Sequence, residues 1–238
     1  MRKMLSVFVA MVFAALPLSS ARPDTKENDR LENCGMVLDD ILRVPDDIPQ
    51  RLMDKAECIV IFPSVLKGAF VVGGSYGRGA MTCRSGDTYE GPWGAPSMMA
   101  LEGGSVGFQA GGQATDFILL ITNPRGVGAI LANKVKIGGD VSAAAGPKGR
   151  DAEADTDVTL RAEMLTYSRS RGLFAGVSLE GSTLRPDDDG NQALYGKQVA
   201  ATDIVRKGAV PIPASAQKML DLLTKYSPHN DSDPRSLK

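Results

Sequence analysis

Histidine is all but absent: the 238 residues hold one, His229, in an Asn/Asp/Ser-rich stretch near the C-terminus. That leaves no basis for a His-based catalytic triad or a His-ligated metal. Aromatic residues are scarce too, at 5%, while glycine is plentiful at 26, so the core must be built from aliphatic side chains and closely approaching backbone. No charge sign dominates. Lys and Arg total 27 against 28 Asp and Glu, a net of −1, which removes the electrostatic ground for nucleic-acid binding. What is abundant is apolar surface: 43% hydrophobic residues suffice for a core and, at this length, for one domain.

The first 21 residues read as an address. Arg2 and Lys3 precede the apolar run 4–18, and Ser19-Ser20-Ala21 supplies small residues for cleavage. The run is about 15 residues, short of the roughly 20 a spanning helix needs. A cleaved secretory signal over 1–21 is therefore expected, followed by one domain over 22–227 and a flexible polar tail over 228–238. The expected location is periplasmic or secreted, and no cysteine lies close enough to the run to be a lipoprotein acylation site.

Three cysteines are an odd count for an exported chain. Cys58 opens the apolar run 58–62 and Cys83 closes the alternating run 68–83, so two strands could bring these sulfurs together at their outer ends. Two free buried thiols are the alternative. Cys34 falls on the apolar face of a helix and reads as a small core residue.

Residues 25–43 have helical periodicity, with Leu31, Cys34, Leu38, Ile41 and Leu42 on one face. Pro45 ends that helix, and Pro49 opens a short second one through Lys55. The period then changes. Residues 58–62 read as a strand broken by Pro63-Ser64, and 68–84 as one long Gly-interrupted strand, as a curling sheet requires. Ser85-Gly86-Asp87 reads as a hairpin turn, 104–112 and 115–122 as a strand pair ending at Asn123-Pro124, and 127–133 as a helix. A strand through Val158, Leu160, Ala162 and Met164, a turn at 170–172 and a strand over 173–180 follow. Residues 188–191 read as a turn, and Ser215 as the N-cap of a final helix over 216–226.

Several motifs invite sharper readings. Ser64-Val65-Leu66-Lys67 fits S-x-x-K, in which a lysine activates a serine nucleophile, but so does Ser215-Ala216-Gln217-Lys218, and the partner motifs S-D-N and K-T-G are missing. The glycine-rich segments 74–79 and 145–149 lack the Lys-Ser/Thr and strand-turn-helix context of phosphate loops. Asp187 to Asn191 would need an acid where Arg185 stands to be an EF-hand loop. Asp116, Asp140 and Asp157 are expected to cap turns between strands, with a cation site as the alternative. Charge is spread unevenly: residues 22–47 are acidic, whereas 117–150 hold Arg125, Lys134, Lys136, Lys148 and Arg150 against Asp140 alone. Such a basic surface suits an anionic headgroup, and an ordinary solvated loop looks the same.

The segments 56–64, 68–84, Gly103-Gly104-Ser105-Val106-Gly107-Phe108-Gln109, Gly111-Gly112-Gln113-Ala114-Thr115-Asp116, Ala144-Ala145-Gly146-Pro147 and, above all, Tyr167-Ser168-Arg169-Ser170-Arg171-Gly172-Leu173-Phe174-Ala175-Gly176 occur in that order. Together they strongly resemble the SYLF domain. The resemblance implies a non-enzymatic lipid-binding domain, which in eukaryotic members meets phosphoinositide membranes through an N-terminal amphipathic helix and in fungal members meets actin. The chain looks like exported bacterial stand-alone versions. It departs from the eukaryotic pattern in its signal segment and in the acidic residues Asp29, Glu32, Asp39 and Asp40 of the matching helix, which would repel an anionic surface.

The expected fold is α+β: a curved, mostly antiparallel sheet, barrel-like in its closure, with an N-terminal helical pair and a C-terminal helix. The expected function is non-enzymatic binding of phospholipid or another amphiphile at a membrane surface of the cell envelope, with no cofactor, no metal, no nucleic acid, and actin an improbable partner. The alternatives are an envelope structural or protein-interaction module and a hydrolase built on Ser64 and Lys67. Two surfaces compete for lipid. If the first helix packs on the sheet, Leu31, Leu38, Ile41 and Leu42 are core and binding falls to Lys134, Lys136, Lys148 and Arg150; if it swings away, that apolar stripe inserts. The packed state is favoured because the helix is acidic and lacks aromatic anchors.

Overall fold

Alternation along the first strand sends Cys58, Val60 and Phe62 into one buried cluster and Ile59 and Ile61 into another, so at this end of the strand both faces of the sheet are covered by core. The computed structural model describes residues 26–44, 48–69, 72–106, 111–132, 134–147, 162–170, 173–176, 179 and 181–232. Its strands are β1 (Cys58–Ala69), β2 (Val72–Cys83), β3 (Ser97–Val106), β4 (Gly111–Ile121), β5 (Val135–Lys136), β6 (Ala143–Ala145), β7 (Met164–Ser170), β8 (Leu173–Gly176) and β9 (Thr183–Pro186). They form one sheet in the order β5-β9-β3-β2-β1-β4-β7-β6, with β8 also on β7. Only the β6–β7 pairing is parallel among these strands.

The sheet has to curl. β5 and β6 stand at opposite ends of that order, and eight strands laid flat would hold them about 34 Å apart. Residues 137–142 join them, a reach of about 24 Å even fully extended, and the link is in fact a tight turn in which Gly138 N–H donates to Val141 O at 2.8 Å. The two edges therefore meet at a seam, bridged at Ile137 and Val141.

Inside the curl lie Val60, Phe62, Met81, Leu101, Phe117, Leu119 and Leu184, together with Val127 and Ile130 of α3 (Pro124–Ala132) and Ile204 and Val205 of α5 (Ala201–Lys207). On the outer face pack α1 (Lys26–Leu42), α2 (Gln50–Asp54) and the last helix, α6 (Gln217–Tyr226), which follows the 3-10 turn Ala214–Ala216. α4 is Asp188–Tyr195. Leu31, Cys34, Leu38 and Ile41 are at most 1% exposed and Leu42 is partly buried against the same cluster. The apolar stripe of α1 is thus core, as the packed alternative required. Burial lifts the Cys34 thiol to about 12.

Cys58 and Cys83 face each other across β1 and β2 and are joined by a disulfide. Their separation of 25 residues corresponds to about 3.5 kcal/mol on the chain-entropy model.

Several expectations need correction. Pro63-Ser64 does not end β1; it forms a bulge, with Ser64 at φ 58 and its N–H donating to Asp116 Oδ1 at 2.9 Å. The single strand over 68–84 is the end of β1 and all of β2, with Phe70 and Val71 between them outside the described residues. The segments 104–112 and 115–122 do not pair with each other: β3 joins β2 and β9, while β4 joins β1 and β7. Residues 188–191 open α4, because buried Asp187 caps it by accepting from Gly190 N–H. Ser215 does not cap α6; its hydroxyl bonds Asn28 Oδ1 at 2.8 Å and so ties the helix entry to α1. Of the expected tail 228–238, residues 228–232 are described, and they are tied to the fold behind Ser227. Ser227 is fully buried, Asp231 N–H donates to Asp54 O at 2.8 Å, and Asn230 Nδ2 donates to Tyr89 O at 3.0 Å. Residues 157–161, 171–172, 177–178 and 180, on which parts of other expectations fall, lie outside the described set.

Candidate functional site: a basic sheet edge beside a polar seam

Where the sheet edges meet, a cleft of about 430 Å³ opens between Asn123, Arg125, Gly138, Gly139, Asp140, Ser142 and Glu163. Its walls follow from local chemistry. Asn123 Oδ1 accepts from Gly126 N–H at 2.8 Å and so starts α3. Asp140 Oδ2 accepts from Lys136 N–H at 2.8 Å and holds the turn between β5 and β6. Glu163, just ahead of β7, accepts from both the N–H and the hydroxyl of Ser142, at 2.8 and 3.1 Å, and pairs with Arg125 at 3.2 Å. The carboxylate closes the seam and its charge is already matched. Polar but internally satisfied, the cleft holds no free base or nucleophile in the positions described.

β5 carries the basic edge. Val135 points inward and pairs with Leu184 of β9, whereas Lys136, paired with Thr183, is exposed on the outer face. Lys134, 60% exposed at its side chain, reaches Glu102 Oε2 at 3.7 Å, and Arg185 Nη2 donates to Glu102 Oε1 at 2.8 Å. These contacts, the Arg185 bond first, hold the Glu102 carboxyl below its ordinary range. Of the four expected basic groups, Lys134 and Lys136 thus lie together on the outer face, while Lys148 and Arg150 fall outside the described residues.

The motifs behind the resemblance meet in one place and act as a brace. Asp116 takes the Ser64 N–H on one oxygen and Arg169 on the other, with Nη2 at 2.8 Å, and Arg169 also pairs with Asp40 of α1. Tyr167, 1% exposed, stacks so closely on Gly146 that an added Cβ would lie 2.0 Å from the ring, and its hydroxyl donates to Pro147 O at 3.2 Å. Glycine is required there by contact. Asp116 and Asp140 thus cap and brace backbone, as expected of them, and Asp157 lies outside the description. Among the described residues no group of three or more His, Cys, Asp and Glu could hold a metal.

Of the two serine-lysine pairs, Ser215 with Lys218 is engaged elsewhere, Ser215 bonding Asn28, whereas Ser64 is held through its backbone N–H and the Lys67 side chain lies outside the description. Ser64 sits on the β1 bulge, while Lys218 pairs with Asp39 at 2.9 Å. Arg43 and Lys218 pull the Asp39 carboxyl down to about 2.

Sequence reasoning missed a second polar cluster, below α2. Arg84 is 1% exposed and bonds Ala56 O, Ser227 O and Ser227 Oγ, with its guanidinium 4.6 Å from the centre of the Trp93 ring. Nearby, both Glu57 carboxyl oxygens are buried without a hydrogen-bond partner among the described residues. Neither position carries a pattern that marks it in sequence.

A family model described as Ysc84, Las17-binding protein actin regulator, matches residues 102–226. The chain is 37% identical over 179 residues to the SH3 domain-containing protein PJ696.02 of Schizosaccharomyces pombe, covering 74% of this chain and 40% of that one. It is 35% identical over 185 residues to the SH3 domain-containing YSC84-like protein 1 of Homo sapiens, covering 77% and 53%. With the protein YSC84 of Saccharomyces cerevisiae it shares 30% over 224 residues, covering 91% and 47%. The chain spans about half the length of these relatives. No helix among the described residues is long and apolar enough to cross a membrane.

Proposed function

Because this chain belongs to the Ysc84 family, whose domain is SYLF, we propose that it is a non-enzymatic phospholipid-binding protein that associates with a membrane surface of the bacterial cell envelope. The observation that carries the reading is the division of labour between two surfaces. The apolar stripe of α1 is spent in the core, and the exposed cations Lys134 and Lys136 stand on the outer face of an edge strand, where an anionic headgroup can reach them. Export through the segment 1–21 belongs to the same proposal. So does the absence of catalysis, which the family description as an actin regulator supports, together with the engagement of the second serine-lysine pair, Ser215 with Asn28 and Lys218 with Asp39.

The printed family description favours a second reading, a protein-interaction module that engages actin, and it counts against the expectation that actin is an improbable partner. Flotation of the purified full chain with vesicles of phosphatidylethanolamine and phosphatidylglycerol separates the two, run beside co-sedimentation with filamentous actin. The expected result is flotation that grows with the phosphatidylglycerol fraction and weakens as salt rises from 0.05 to 0.5 M, roughly the range over which screening takes hold. Co-sedimentation with actin and no flotation would replace the first reading by the second.

A further inference from the structure

The outer face of the sheet extends past the helices that cover it. Toward the disulfide end its outward positions Ile59, Ile61 and Ala80 are buried under the helical layer. Farther along the same strands, Leu66 is 63% and Tyr76 47% exposed. These two are cross-strand partners on β1 and β2. Their inner-facing neighbours Val65 and Gly77 touch on the opposite side, where a Cβ on Gly77 would lie 2.7 Å from Val65, so both large side chains point outward. The row continues to Ala114 of β4, exposed, on one side and to Glu102 of β3 on the other.

Charge completes the row. Arg78 Nε donates to the Tyr76 hydroxyl at 2.5 Å, and Arg78 pairs with the buried Asp187. Glu102 carries Arg185 and Lys134. The result is an aliphatic side chain, a phenol and three cations against two carboxylates, one of them buried. One exposed Leu or Tyr is ordinary. Side by side, with cations along the rim, they match the depth order of a bilayer interface: acyl region, headgroup level, phosphate. The face is the convex one, turned away from the core inside the curl, and Leu66 and Tyr76 are exposed on it.

We propose that this uncovered end of the outer sheet face, Leu66 and Tyr76 rimmed by Arg78, Arg185 and Lys134, is the surface that docks on an anionic phospholipid bilayer. The assignment rests on the lipid-binding reading and says where that binding happens: on the sheet, with α1 remaining closed. The test is flotation of the full chain with vesicles of phosphatidylethanolamine and phosphatidylglycerol, comparing wild type with Leu66→Asp, Tyr76→Ser and, as a control on the exposed side of α1, Met36→Asp, each checked for an unchanged thermal transition. A Leu66 or Tyr76 change should cut the vesicle-bound to free ratio about tenfold, the scale set by one partly buried apolar side chain, and Met36→Asp should leave it unchanged. Equal flotation of wild type and both row variants would overturn this surface while leaving lipid binding in place. No flotation by wild type at any composition would overturn both. If the row variants lose co-sedimentation with filamentous actin but float normally, the surface serves a protein partner and the proposal fails.

Discussion

Arg84→Met should destabilise the protein by about 3 to 5 kcal/mol, the largest single-residue effect expected outside the aliphatic core. The guanidinium is 1% exposed and is satisfied by carbonyls and a hydroxyl, without a carboxylate in direct contact among the described residues. Burial is the first influence on it and lowers its affinity for the proton, which Asp54 and Asp231 offset from a distance. Through Nη2 it holds Ser227 O and Ser227 Oγ, both at 2.7 Å, and the His229 carbonyl as well. The Ser227 hydroxyl passes the link on to Met53 O at 2.7 Å, and Trp93 Nε1 donates to Ser227 O at 3.2 Å. Methionine fills much of the volume but leaves these acceptors unmatched, so α2 and residues 227–232 should loosen together. Urea denaturation gives the first quantity and hydrogen exchange of residues 227–232 the second. A loss under about 1 kcal/mol with unchanged protection would show that Arg84 only fills space.

Raising the pH from about 4.5 to 8 should lower stability through one group by about 2 to 3 kcal/mol. Burial pushes the Glu57 carboxyl up to about 7, and Ser232 and Arg206, which favour its charged form, offset that only in part. The unfolded state releases this proton near 4.5, so between roughly 4.5 and 7 the folded state binds more protons. Stability from the neutral carboxyl is then complete below the unfolded value and lost as pH rises through the folded one. Glu57→Gln should match wild type near pH 4.5 and exceed it at pH 8. Parallel urea midpoints for the two proteins at both pH values would contradict the assignment.

Legibility in the sequence followed the range of the forces involved. The α1 stripe was readable because Leu31, Cys34, Leu38 and Ile41 obey the helical period, and the disulfide because alternation carried Cys58 and Cys83 to strand ends. The division of 68–84 between β1 and β2 was not, since the sequence between Ala69 and Val72 has no Gly, Pro, Asn or Asp to mark a boundary. α4 was misread because Asp188-Asp189-Gly190-Asn191 has turn composition, and the deciding cap, Asp187, lies one residue earlier. The exposed row was invisible for a different reason. Tyr76 shares the phase of Ala80, but Leu66 reaches the outer face only because the Pro63-Ser64 bulge shifts the phase set by Ile59 and Ile61, and the placement of α1 and α6 in three dimensions then decides which outward residues are covered.

The central claim, that lipid is met by the sheet and not by α1, is tested most directly by depth. Tryptophan placed at the row by Tyr76→Trp, or on the helix by Met36→Trp, can be followed on anionic vesicles containing brominated acyl chains, with Trp93, 5% exposed, as the buried background. The expected result is strong quenching and a blue shift for Tyr76→Trp and neither for Met36→Trp. Quenching at position 36 with none at position 76 would contradict the claim and show that the helix leaves the core to enter the bilayer.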